Sequence, residues 1–129
     1  MSVSEQSQND QLSEALQELS SLKDKVTYLE SRVSDLQQQK IDQERYAAIA
    51  HIRLHSYFAQ LAIHDAAVEN KQNNKFVTNA NACIRFARDE ANTALADIAT
   101  SSNPKQIAED WLNRCRTFFT ERGGFNVFR

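Results

Sequence analysis

Residues 12–40 read LSEALQELSSLKDKVTYLESRVSDLQQQK. With Leu12 at position a of a seven-residue repeat abcdefg, the a positions are Leu12, Leu19, Val26, Val33 and Lys40. The d positions are Ala15, Leu22, Leu29 and Leu36. Apolar residues thus alternate at spacings of three and four, the 3.5-residue period of a left-handed coiled coil. Val at a with Leu at d favours two parallel strands over three or four. The flanks agree: Glu18 (g) falls opposite Lys23 (e) of a parallel partner and Lys25 (g) opposite Glu30 (e), with no like-charged g–e pair. Exposed pairs of this kind are worth about 0.3–0.5 kcal/mol each, so they select orientation more than they add strength. Lys40 at a is a poor core residue, of the kind that fixes register at some cost in stability.

Beyond the polar patch at Gln37–Gln39 and Gln43 the same register continues, with Ala47, Leu54, Leu61 and Val68 at a and Ala50, Tyr57 and His64 at d. The predicted dimerisation residues are therefore Leu12, Leu19, Leu22, Val26, Leu29, Val33, Leu36, Leu54, Tyr57 and Leu61. A second apolar stripe begins here: Ile41, Ile52, Ala59, Ile63 and Ala66, with Phe58 and Ala62 beside it. A helix apolar on two faces needs two neighbours. The dimer seam covers one stripe, so the C-terminal helices are expected to fold back over the other.

Those helices are readable. Glu69–Asn74 (ENKQNN) is a polar turn. Phe76, Ala80, Cys83, Ala87, Ala91, Ala94 and Ile98 then form one helical face, widened by Val77, Ile84 and Leu95. Thr100–Asn103 breaks the pattern. Asn103 is placed as an N-cap, with Pro104 at the first helical position and Gln106 at the third. Ile107, Trp111, Cys115 and Phe118 make the last face, and Gly123-Gly124 is a stop signal. The predicted fold is all-α: a long N-terminal parallel coiled-coil helix continuing into a C-terminal helical bundle, three main helices per protomer. Its predicted parts are a disordered N-terminus (1–10), a dimerisation stalk (11–40), a bundle (41–122) and an apolar tail (123–129).

Composition supports this plan. The 129 residues include two Gly and one Pro, none before residue 104, which argues against a glycine-rich phosphate loop and a multi-turn β fold. Ten of the eleven aromatic residues follow residue 40, so the packed core belongs to the later part. Residues 1–40 hold 7 acidic and 4 basic residues, and residues 41–129 hold 10 and 11, so neither half is charged enough to dictate a partner. No apolar run approaches the length of a membrane span, and the polar start lacks the pattern of a secretory signal, so a cytoplasmic location without membrane partners is expected.

Few residues are candidates for chemistry. His51 and His55 stand at i, i+4, with Glu44 near the same stripe, a weak candidate metal set. His64 at d would meet its own copy in the seam. Cys83 and Cys115 fall on apolar faces and read as buried small hydrophobes. Asp89-Glu90 and Glu109-Asp110 read as solvated faces. With no nucleophile–base arrangement and no specific metal or phosphate motif, no enzyme and no cofactor is expected. Arg85, Arg88, Arg114, Arg116 and Arg122, with Arg129 beyond, could merge into a basic face for phosphates or an acidic protein surface. Phe125 and Phe128 in the tail either cap the bundle or dock into a partner's groove. The expected function is a non-enzymatic homodimer that binds another macromolecule: an adaptor, a scaffold or a small inhibitor of a larger protein machine. The alternative is a nucleic-acid-binding regulator that uses the arginine face.

Overall fold

The computed structural model describes residues 3–128, and these form an all-α protein: α1 (Val3–Glu69), α2 (Asn74–Ile98) and α3 (Pro104–Gly123). The helix begins earlier than the composition suggests. Residues 3–10, expected to be disordered, belong to α1, while residues 1 and 2 lie outside the described residues. The polar stretch 37–43 is helical as well. Gln, Lys and Asp in that stretch carry no backbone breaker, so nothing local ends the helix.

The chain divides between Lys40 and Ile41 into two units. In the first, every residue from Glu5 to Lys40 is exposed. This helix has no tertiary core of its own.

The second unit contains residues 41–69 of α1 together with α2, α3 and the tail. One face of α1 is sealed here: Ala48, Ile52, Ser56, Ala59, Ile63 and Ala67 are all buried. The sequence-predicted second stripe lies on this face, with Ile52, Ala59 and Ile63 buried and Ile41 and Ala66 half-buried. Phe58 and Ala62, expected beside it, are exposed instead. They sit about 100° around the helix from their neighbours Ala59 and Ile63, beyond what α2 and α3 cover. From α2 the core receives Ala80, Cys83, Ala87, Ala91, Ala94 and Ile98, and from α3 it receives Ala108, Trp111, Cys115 and Phe119. So many alanines and cysteines let helix axes approach closely, and the volume that remains is filled by Trp111, Phe119 and the isoleucines.

Local chemistry sets the ends. Asn73 caps α2, its side-chain oxygen accepting from the Phe76 N–H at 3.1 Å. Asn103 precedes Pro104 as expected but makes no side-chain cap bond. Its own N–H donates to Ser101 Oγ at 2.9 Å, and Gln106 donates to Asp110 at 2.9 Å rather than reaching back. Gly124 ends α3 in the left-handed conformation (φ 68°), its N–H bonding the Thr120 carbonyl and the Phe125 N–H the Phe119 carbonyl. The bond from Gly124 to Thr120 is that of a left-handed C-cap, which favours a residue without a Cβ penalty at that position. Arg45 ties the start of the unit to the α2–α3 loop, donating from Nε to the Ser101 carbonyl at 2.8 Å.

Candidate self-association surface

The heptad stripe is where the apolar surface lies open. In the first unit Leu12, Leu19, Leu22, Val26, Leu29, Val33 and Leu36 are each between 48% and 60% exposed. Leu16, an e position that the sequence reading did not single out, is 58% exposed beside them. Its signal was available, since an apolar residue four after Leu12 widens the same stripe. Between the side chains is a shallow depression of about 350 Å³ lined by Val26, Leu29, Glu30, Val33, Ser34 and Gln37. The flanking Glu18, Lys23, Lys25 and Glu30 are exposed, and no ion pair joins any of them to another of the described residues.

In the second unit the same register stays uncovered. Ala47, Ala50, Leu54, Tyr57, Leu61, His64 and Val68 are all exposed, on the side of α1 opposite the face that α2 and α3 seal. Tyr46 at g and Phe58 at e add two exposed aromatic rings along its edges, and Phe58 stands edge-on to Tyr57 at 5.9 Å. Reading Phe58 as part of the covered stripe concealed this.

Several of the arginines named from the sequence have a partner beside them. Arg114 on α3 pairs with Glu90 on α2 at 3.2 Å, and Arg88 pairs with Asp89 at 3.6 Å. Arg122 lies over the Phe118 ring at 5.7 Å, and Phe118 in turn stacks on Phe86 at 4.1 Å. Arg116 bonds Asn113 at 3.3 Å, and Arg85 is exposed. The helix spacing that lines these arginines up also lines up the carboxylates interleaved with them. Arg129 lies outside the described residues. In the tail, Phe128 is buried against Trp111, Phe119 and His55, and Phe125 is half-buried edge-on to Phe76. The tail therefore occupies the bundle's own core, and Phe128 is not presented to a partner.

The His51 and His55 rings lie 4.0 Å apart, and His55 Nδ1 is 2.8 Å from the His51 carbonyl oxygen. A carbonyl only accepts, so Nδ1 carries the proton of a neutral His55 ring. Burial, and then the neighbouring His55, hold the His51 pKa below its ordinary value. Glu44 is half-buried but does not complete a site, for no group of three or more His, Cys, Asp or Glu that could hold a metal occurs among the described residues. His64 is exposed, 4.0 Å from Asp65. Both cysteines are buried and free. Burial pushes the Cys83 thiol up against the opposing effect of Arg122. Burial reinforced by Glu90 pushes the Cys115 thiol up to about 12, so both are protonated at neutral pH. No helix among the described residues is long and apolar enough to cross a membrane. A scan against protein-family models and searches of curated proteins and of solved structures find no match to this chain.

Proposed function

We propose that this chain is a non-enzymatic parallel homodimer whose α1 stalk joins two copies of the helical bundle, so that it binds another macromolecule, most simply a larger protein, bivalently. The observation that carries the reading is the open a/d stripe of residues 12–36, uncovered along its whole length. A lone amphipathic helix draws most of its stability from packing its apolar face, so a helix with that face open is incomplete without a partner.

A second copy fits that face in detail. In a parallel in-register pair, a d side chain enters a hole bounded by the facing d residue, its neighbouring e and the a residues before and after it. Leu29, Glu30, Val26 and Val33 are those four positions, and they line the 350 Å³ depression, whose natural knob is the partner's Leu29. Glu18 and Lys25 have opposite charges waiting at Lys23 and Glu30 of the second copy. Joining two bundles raises avidity for a partner with two sites by about 10²–10⁴ when the geometry lets both engage.

The test is size-exclusion chromatography with light scattering and dual-wavelength absorbance on the protein isolated from cells. The expected mass is twice the 14.7 kDa of one chain, with no excess absorbance from nucleic acid, and a Leu22→Lys/Leu29→Lys variant should weaken association. A monomer at all concentrations overturns the dimer. Co-purifying nucleic acid that leaves in high salt shifts the function to the arginine-bearing helices.

A further inference from the structure

We infer that the second unit carries its own self-association face, the exposed side of α1 around Leu54, Tyr57 and Leu61, and that the occupant is the same face of a second copy in parallel register. The inference rests on the reading that copies associate through α1, and adds a second, separately testable interface to the stalk.

Three observations carry it. First, α1 is apolar on both sides between residues 47 and 68, and α2 and α3 seal only one of them. Leu54, Tyr57, Leu61 and Val68 remain 54%, 62%, 44% and 55% exposed while Ile52 and Ile63 are at 0%. Second, these residues keep the a/d register of residues 12–36 without an insertion or deletion across the polar layer at Lys40 and Gln43. Leu29 and Tyr57 are thus both d positions of one unbroken seven-residue count. Third, the edges are complementary to a second copy. Position g of one helix faces the next e of its parallel partner, which sets Arg53 against the partner's Phe58 and Tyr46 against the partner's His51. A guanidinium over an exposed phenyl ring is attractive, and no like-charged pair arises. The edges here carry the two exposed aromatic rings of Tyr46 and Phe58.

The pairing consequence is specific. Each copy offers the face opposite α2 and α3, so those helices stay uncovered and outward in both copies, which is what a bivalent binder needs.

Site-specific crosslinking of the full chain tests this. Leu29→Cys and Tyr57→Cys are both d positions, and both side chains are exposed, so neither change empties the core. Leu61→Cys serves as a second reporter, and Arg85→Cys, exposed on α2, measures random collision. Cys83 and Cys115 stay buried and silent, which the unsubstituted chain controls. Under mild oxidation, Tyr57→Cys and Leu61→Cys are expected to run at double mass on a denaturing gel, far above Arg85→Cys. If Leu29→Cys crosslinks while both second-unit cysteines stay at the Arg85→Cys level, the inference is overturned and the stalk reading stands. If none crosslinks above that level, both fall.

Discussion

Ile52 and Leu54 lie two residues apart on α1 and on opposite sides of it: Ile52 is completely buried under α2 and α3, and Leu54 is 54% exposed. Two residues turn an α-helix through about 200°. The pair therefore marks the core face and the open face of one helix, and the two faces have separable energetics.

Ile52→Ala should destabilise the bundle by about 2–5 kcal/mol, the usual cost of emptying a packed aliphatic site, at every protein concentration. Leu54→Ala should leave the unfolding midpoint of the dilute protein nearly unchanged and lower it only where copies associate. Urea unfolding followed by circular dichroism at two widely separated concentrations distinguishes them. Equal losses for both variants in dilute solution would contradict the two-faced helix.

Trp111 is fully buried, yet its indole N–H has no hydrogen-bond partner among the described residues. An aromatic replacement therefore gives up volume without breaking a bond. Trp111→Phe is expected to cost well under the roughly 3–5 kcal/mol of Trp111→Ala. Thermal unfolding of the two variants checks the order. Similar losses would mean that the N–H is satisfied after all.

The α3 stop depends on backbone geometry at one glycine and on space at the other. Gly124 has φ 68° with open space around it, so Gly124→Ala should cost about 1 kcal/mol from strain alone. At Gly123 a Cβ would run into the Phe125 ring, so Gly123→Ala should displace that ring from Phe76. The aromatic proton shifts of Phe76 and Phe125 should move in Gly123→Ala and stay in place in Gly124→Ala.

His51 gives the bundle a mild acid sensitivity. Its pKa is held below 6.5 in the folded state, so the unfolded chain binds more protons between the folded value and 6.5. Stability should be flat with respect to this residue above pH 6.5 and fall as the pH drops from 6.5 to the folded value. His51→Gln should flatten that part of the stability–pH curve. An unchanged curve would place the sensitivity elsewhere.

Buried, protonated thiols react through opening of the fold. Cys83 and Cys115 should be modified by iodoacetamide at pH 8 far more slowly than in denaturant, and faster in Ile52→Ala in step with its lost stability. Immediate labelling of the native chain would mean that the core is open at α2 or α3.

The all-α class, the three helices and the polar turn at Glu69–Asn74 were legible in the sequence, because each follows from local signals: 3.5- and 3.6-residue periodicity, a run of polar residues, and Pro and Gly at the ends of α3. Pattern also revealed that α1 has two apolar faces past residue 41. It misjudged the width of the covered one, placing Phe58 with the core when it stands at the edge of the open face. Which side α2 and α3 seal depends on the angle at which they pack, and Phe58 lies between the two stripes. The arginines show the same division. Their helical spacing was plain, but whether Arg114 faces solvent or Glu90 depends on which residues of α2 lie across from α3. The tail was open between capping and docking until Phe128 was seen against Trp111 and Phe119, since five apolar and polar residues after Gly-Gly fit either fate equally well. Sequence by itself determined the helical class, the number of helices and which of their surfaces are apolar, since these are set by neighbours within a turn or two, although it left residues 3–10 out of α1. Only the tertiary structure decided which apolar surfaces are consumed inside the bundle and which remain exposed, because that choice is made by contacts between residues far apart in the chain.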